Sequence, residues 1–293
     1  MKFDMIFEPR RPRAYVVLDI ESAVLDDTAH KRYQAMERWA PTSEEEPSRR
    51  GYKRCDDPLV TPRWPFQTLV TAAIMLLVEH ADGNVDVARF VTLSAPDLDE
   101  REVLAGIIQV LADAPEGAEI VTYGGSMHDL PMILMGLLKH GLTLPRRWQW
   151  LSHGGVGNTP HIDFSRTITG GYRMKPVHEA EILAALDIPA KVPAPAFAVS
   201  GLIYAGEWET VASQCEFDVI ATSLLLARWK KLHDARVEVP VFEDRILRRV
   251  IELREGRGYI PALQAHRKRI FAQQTATAEQ AMGVLAPWLQ DEA

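Results

Sequence analysis

Ala-Tyr-Val-Val-Leu-Asp-Ile-Glu, residues 14–21, carries more architectural information than any other part of the chain. The run is apolar or aromatic through Leu18, with two consecutive valines, and reads as a strand covered on both faces at the centre of a sheet. Such strands belong to α/β domains, in which helices pack on either side of the sheet. The run then turns acidic. Side chains alternate along a strand, so Asp19 and Glu21 share one face while Ile20 points to the other. Two neighbouring carboxylates raise each other's pKa unless a cation lies between them. The alternative is a strand that ends at Leu18 and leaves both acids in water.

Outward from this strand, residues 67–79 and 85–94 flank an Asp82-Gly83-Asn84 turn, a hairpin signal. By periodicity alone the first of these runs reads equally well as a buried helix. Residues 97–114 predict a helix, 119–123 a short strand, and 130–140 a helix closed by Gly141 at its C′ position. A last short strand is expected at 161–164 and a helix at about 176–187. Residues 26–65 are polar and charged, with Glu44–Glu46 followed by Arg49, Arg50, Lys53 and Arg54, and read as a surface loop or insertion. After Pro240 the chain reads as helices interrupted by Gly256, Gly258 and Pro261. The expected organisation is residues 1–235 as one α/β domain and 236–293 as a helical C-terminal extension. There is no internal repeat and no low-complexity segment.

Composition sets outer bounds. The 293 residues are 47% apolar and 25% charged, ordinary for a globular chain. Cys55 and Cys215 lie far apart, and Cys215 falls on an apolar helix face, which argues against a disulfide framework and for a reducing, cytoplasmic setting. The longest apolar run, residues 69–78, is too short to span a bilayer, so no membrane association is expected. The net charge of −7 shows no overall basic footprint for nucleic acid. Between Arg245 and Arg269, however, eight basic residues stand against two acidic ones.

Residues 207–231 read as one long amphipathic helix without internal Gly or Pro. At ~100° per residue, Trp208, Val211, Cys215, Thr222, Leu225, Leu226 and Trp229 fall within about 60° of one line. Asp218 falls about 20° from the centre of that stripe. A buried carboxylate without a partner costs several kcal/mol or loses its charge. Asp218 therefore needs either a buried cationic side chain or a metal ion. Asp129 is a further acid at a structurally marked place, after a strand and the Gly124-Gly125 turn and at the start of a helix. Taken alone it reads as a helix N-cap. Four carboxylates from a strand end, a helix start and a helix interior can hold two divalent cations, and Mg²⁺ or Mn²⁺ suit such hard oxygen ligands. Two ions ~4 Å apart can activate a water and stabilise the leaving oxygen of a phosphodiester.

Three segments in this order resemble the DEDD superfamily of 3′–5′ exonucleases, across about residues 14–232. VVLDIESA is similar to the first exonuclease motif, VTYGGSMHDLPMI to the second and QCEFDVIAT to the third; HIDF at 161–164 matches a strand that precedes the third. The resemblance is nearest to stand-alone relatives of the proofreading domain of family-B DNA polymerases. It implies a ribonuclease H-like fold, a mixed β-sheet flanked by helices. It also implies Asp19, Glu21, Asp129 and Asp218 as ligands of two Mg²⁺ or Mn²⁺ ions. The implied substrate is nucleic acid with a free 3′ end, single-stranded DNA by preference and RNA as the variant, cleaved to 5′-mononucleotides.

The chain departs from that pattern at instructive positions. Where the tyrosine subclass has its water-handling Tyr, four residues before the last Asp, this chain has Gln214; where the histidine subclass has His, it has Ser213. Gln can hydrogen-bond a water but cannot take its proton. The second motif's usual Asn is Gly124 and its aromatic is His128, which is also a candidate water ligand against the simpler reading of a polar residue at a helix start. The spacing of His161, Asp163 and His178 does not require metal, and Gly154–Gly157 is a flexible stretch or a phosphate cradle. Arg248, Arg249, Arg267, Lys268 and Arg269 are candidate phosphate contacts, Tyr259 a candidate stacking platform, and Arg49–Arg54 with Tyr52 a second candidate grip. The alternative for each is a solvated surface. Two rival readings of the whole stay open: a catalytically weakened ribonuclease H-like module that binds nucleic acid or a partner, and an acid cluster that is merely an ion-pair network.

Overall fold

In the computed structural model, residues 13–39, 57–81, 83–153 and 159–285 are described. Cys55, Asp82, the Arg49–Arg54 stretch with Tyr52, and the Gly154–Gly157 stretch lie outside them. Five strands, β1 (Ala14–Ala23), β2 (Thr68–Glu79), β3 (Val85–Ser94), β4 (Glu119–Thr122) and β5 (His161–Asp163), form one sheet in the order β3-β2-β1-β4-β5. β1 pairs antiparallel with β2 and parallel with β4, so the 14–21 run sits at the centre of a mixed sheet. β2 pairs antiparallel with β3, and β4 parallel with β5. The helix reading of residues 67–79 is thereby excluded: hydrogen-bonded neighbours on both sides decide what the apolar run alone could not. This helix-flanked mixed sheet is the ribonuclease H-like α/β architecture.

Helices cover both faces of the sheet. On one face, Ala14, Val16, Leu18 and Ile20 of β1 join a core with α2 (Glu100–Asp113) and α3 (Asp129–His140). Tyr15 and Val17 turn the other way, into a core with α7 (Trp208–His233) and α8 (Val239–Leu253). Strand alternation then places Asp19 and Glu21 on the α7 side, beyond the last apolar residue of that face. A register shift between Glu21 and Ser22 marks the end of the regular ladder.

Four local outcomes differ from the sequence reading. Within residues 26–65, α1 (Thr28–Met36) forms, its polar sequence anchored by His30 Nε2 on the Pro58 carbonyl and Gln34 Nε2 on the Leu59 carbonyl, at 2.8 and 2.7 Å. Short helices α4 (Phe164–Ile168) and α6 (Val199–Ala205) were not legible, and α5 is confined to Glu179–Ala185. α7 is not amphipathic: every residue from Val211 to Ala227 is buried, because the helix lies between the sheet, α6 and α8. Its buried polar residues therefore need partners all round, not along one line.

The C-terminal helices α8 and α9 (Ile260–Leu285) share the α7-side core rather than forming one of their own: Phe242, Ile246, Leu247, Val250, Leu263 and Ile270 are buried in it. Gly141 closes α3 at φ 63°, as its position after the last apolar turn predicts. Among the described residues, no helix is long and apolar enough to cross a membrane.

Candidate functional site

At the β1 end, three chain segments meet. Cys215 of α7 donates its thiol to the Asp19 carbonyl at 3.3 Å, so α7 crosses directly over the acidic end of the strand. One helical turn on, Asp218 reaches the carboxylates of β1. Ligand oxygens of Asp19, Glu21 and Asp218 all lie within 4.8 Å of one another. Asp129 does not join that trio but lines the same open cleft, of about 370 Å³, together with Tyr123, Gly124, His128, His178, Glu179 and Lys191. The four acids singled out in the sequence thus face one cleft.

Asp129 does not act as the helix cap its position suggests. The helix starts at Asp129 itself, its cap position is His128, and no side-chain capping bond forms. His128 Nδ1 lies 3.2 Å from Asp129 Oδ1, while Asp129 Oδ2 is buried with no partner. Asp19 Oδ2 is buried and unpartnered as well. Such atoms carry the full cost of desolvation. Burial pushes the Asp19 carboxyl well above the usual carboxylate range, and Asp218, Asp129 and Glu21 add to the rise. Burial first and Asp218 second push Glu21 up to about 8. Burial likewise raises Asp129, against the pull of His128.

Gln214 is fully enclosed and both ends of its amide are committed. Nε2 donates to Asp218 Oδ1 at 2.8 Å and Oε1 accepts from the Ala194 N–H at 3.0 Å. It orients Asp218 rather than facing the open cleft. The other Asp218 oxygen accepts from Lys191 Nζ at 2.5 Å. The sequence offered a cationic side chain or a metal as compensation for Asp218, and the structure supplies the cation. Nothing in the local sequence around Lys191 marks it, since it comes from the loop before α6.

Glu179, the first residue of α5, was also missed. It is buried, accepts from Thr222 Oγ1 at 2.9 Å, and stands 3.7 Å from Lys191 Nζ. Burial, then the charge of Asp218, push its carboxyl up to about 8, with Lys191 opposing. The capping box of α5, formed by His178 and Glu181 on either side of Glu179, emerges only in the structure, because its cap is a His rather than the Ser or Thr of the usual signature.

The turn that delivers Asp129 has its own anchor. Asp163, at the end of β5, accepts from the Gly124 and Ser126 N–H groups at 2.8 and 2.9 Å, from the Ser126 hydroxyl, and from Tyr172 OH at 3.2 Å. Burial alone would raise this carboxyl, but the Ser126, Gly124 and Arg166 hydrogen bonds together hold it low. A side chain at Gly125 would put Cβ 2.5 Å from Thr122 Oγ1, so this turn requires glycine. The neighbouring His161 is tied to Thr122 Oγ1 at 2.9 Å.

The basic C-terminal residues divide. Tyr259, expected as a stacking platform, is 1% exposed and gives its hydroxyl to Glu216 at 2.7 Å, so no base can stack on it. Arg267 pairs with Asp244 at 2.5 Å, Arg249 with Glu252 at 3.1 Å, and Arg269 with Asp187 at 3.7 Å. Arg248 lies on the surface beside Arg245 and Arg249, away from the acidic cleft's lining residues, and Lys268 is exposed.

The chain resembles solved structures at low identity. The family B DNA polymerase of the hyperthermophilic archaeon Pyrobaculum calidifontis aligns over 83% of this chain and 29% of its own, with 15% identity and a TM-score of 0.46. The ExoI/SSB-Ct complex aligns over 83% and 46%, with 11% identity and a TM-score of 0.40. E. coli exonuclease I in complex with a dT13 oligonucleotide aligns over 76% and 42%, with 13% identity and a TM-score of 0.35. The chain thus spans less than half the length of each. No curated protein matches it. A family match covers residues 62–257, a stretch that includes Asp129, Gln214 and Asp218 but begins after β1. By that match the chain belongs to the family of predicted 3′–5′ exonucleases related to the exonuclease domain of PolB.

Proposed function

We propose that the cleft is a divalent-metal-dependent 3′–5′ exonuclease centre acting on single-stranded DNA or a frayed 3′ end. The observation that carries this reading is the convergence of Asp19, Glu21 and Asp218 within 4.8 Å, beside buried, unpartnered oxygens on Asp19 and Asp129. That donor set fits Mg²⁺ or Mn²⁺: hard oxygens, several negative charges and open volume for retained water. Asp19, Glu21, Asp129 and Asp218 would hold the ions. When bound, two such ions supply an activated water and charge neutralisation at the leaving oxygen of the phosphodiester.

The chain's own groups prepare the cleft for that chemistry. Gln214 fixes one oxygen of Asp218, and Asp163 fixes the turn that carries Asp129. Lys191 places a positive charge beside the acids, where a phosphate group would otherwise meet repulsion alone. Incubation with 3′-recessed duplex, single-stranded DNA and RNA, each with Mg²⁺ or Mn²⁺, tests the reading and ranks the substrates. Release of 5′-mononucleotides from the 3′ end is expected, fastest from single strands; no Asp19-dependent cleavage of any substrate would refute it.

Gln214 also motivates a second reading. With its amide fully engaged it accepts no proton, and general acid–base help is worth about 10²–10⁴ in rate. A catalytically weakened module would bind single-stranded nucleic acid in the same assay without turnover. In either case Gln214→Leu leaves the Ala194 N–H buried and unpaired and frees Asp218 Oδ1. A loss of about 1–3 kcal/mol in urea unfolding is expected, with slower cleavage where cleavage occurs.

Metal and pH are linked through the raised carboxyls. Glu21 and Glu179 move from an ordinary 4.5 to about 8. The folded chain therefore keeps protons that the unfolded chain releases. The stability from these groups is complete below about 4.5 and lost as pH rises through 8. Without metal, Tm is expected to fall between pH 5 and 8.5. With saturating Mn²⁺ the fall should shrink or reverse, since the metal takes the place of the protons. A merely structural ion-pair network would show no Mn²⁺-dependent change.

A further inference from the structure

In this structure both oxygens of Asp218 are taken. Oδ1 accepts from Gln214 and Oδ2 from Lys191. Each oxygen keeps a further lone pair, but an ammonium 2.5 Å from Oδ2 repels a divalent cation and occupies one side of that oxygen, so metal binding at Asp218 favours moving a donor away. Gln214 is fully buried and held at its other end by the Ala194 N–H, so it is the fixed partner. Lys191 is the movable one: its flexible stem ends in the cleft and its side chain is 18% exposed.

Among the described residues, the ion pairs of Lys191 are with Asp218 at 2.5 Å and Glu179 at 3.7 Å. Glu179 has one oxygen fixed by Thr222, which stands one helical turn beyond Asp218 on α7. Its other oxygen is the one nearer the ammonium. A shift of about 1 Å would turn that approach into a close charge-assisted hydrogen bond. Lys191 itself holds φ 51°, a left-handed conformation uncommon outside glycine and typical of segments constrained by their surroundings.

We propose that Glu179 is the acceptor that draws Lys191 off Asp218 when a divalent cation enters, and so is a positioning residue for the metal centre. The proposal rests on the metal-centre reading. Without Glu179 the carboxylates left around the displaced ammonium are the ones that would hold the metal, Asp19, Glu21 and Asp129, so it stays on Asp218 and competes with the metal. Its return would equally favour metal release, because coupling between two ligands of one site is reciprocal.

Mn²⁺ titration of the full chain by calorimetry tests this with wild type, Glu179→Gln, Lys191→Met and the double variant. Gln at 179 can still accept the Thr222 hydroxyl, and thermal melting verifies folding of each. Glu179→Gln is expected to raise the Mn²⁺ Kd by about tenfold. Lys191→Met should lower the Kd, and adding Glu179→Gln to it should have no further effect. An unchanged Kd in the Glu179→Gln variant overturns the proposal. So does an equal loss in both backgrounds, which would make Glu179 a ligand or a mere source of negative charge. A wild-type chain that binds no Mn²⁺ overturns the metal-centre reading, and this proposal with it.

Discussion

Asp19→Asn is expected to lower 3′–5′ cleavage by about 10³-fold or more while making the metal-free protein more stable. On the proposed metal-centre reading the loss follows from removing a ligand within the acidic trio, since metal-ion catalysis supplies several kcal/mol of transition-state stabilisation and each 1.36 kcal/mol is about tenfold. The gain follows from the same position. Asp19 carries a buried oxygen with no partner, and burial together with Asp218, Asp129 and Glu21 already disfavours its charged form. A neutral isostere removes that repulsion, a familiar trade between stability and function. In buffer with a chelator, Tm of Asp19→Asn should exceed that of wild type; with saturating Mn²⁺ the order should reverse. Absence of the crossing would point instead to a structural network, in which removing an acid only destabilises.

Glu216→Ala is expected to cost about 3 kcal/mol, read from urea unfolding, with little effect on the chemistry of any remaining folded protein. Two residues before Asp218 but pointing elsewhere, Glu216 is fully buried and joins α7 to the C-terminal helices. It accepts from Thr92 Oγ1 at 2.5 Å, Tyr259 OH at 2.7 Å and Arg257 at 3.1 Å, with Arg254 Nε at 3.2 Å. Removing one member of such a group strands the others. The low end of the 3–5 kcal/mol range applies because Arg254 and Arg257 keep partial access to water, with side chains 18% and 25% exposed. The same packing predicts that residues 1–235 alone would expose the α8-facing side of α7 and lose stability accordingly.

The cleft's acids were legible because each is locally conspicuous. Asp19 and Glu21 interrupt an apolar strand, Asp129 follows a glycine turn, and Asp218 falls on the apolar stripe of its helix pattern. Lys191 and Glu179 carry no such mark. One is a loop lysine and the other an acid in the first turn of a short helix, both ordinary in sequence. Their meaning comes from being folded against Asp218 by residues 27 and 39 positions away. Tyr259 failed in the opposite sense: an aromatic among arginines suggests a base platform, yet Arg254 and Arg257, nearest it in sequence, turn inward to Glu216, which also accepts the tyrosine hydroxyl.

By itself the sequence determined the central strand, the strand at 85–94, the helices over 97–114, 130–140 and 207–231, and the identity of the four acids, because alternation, periodicity and turn chemistry are local. Tertiary structure alone decided that α7 is buried on every side and that Gln214 is locked in place. It also decided that Asp218 already holds a cation. The reason is physical: a buried charge is compensated by whatever the fold brings within a few ångströms, and separation along the chain does not record that distance.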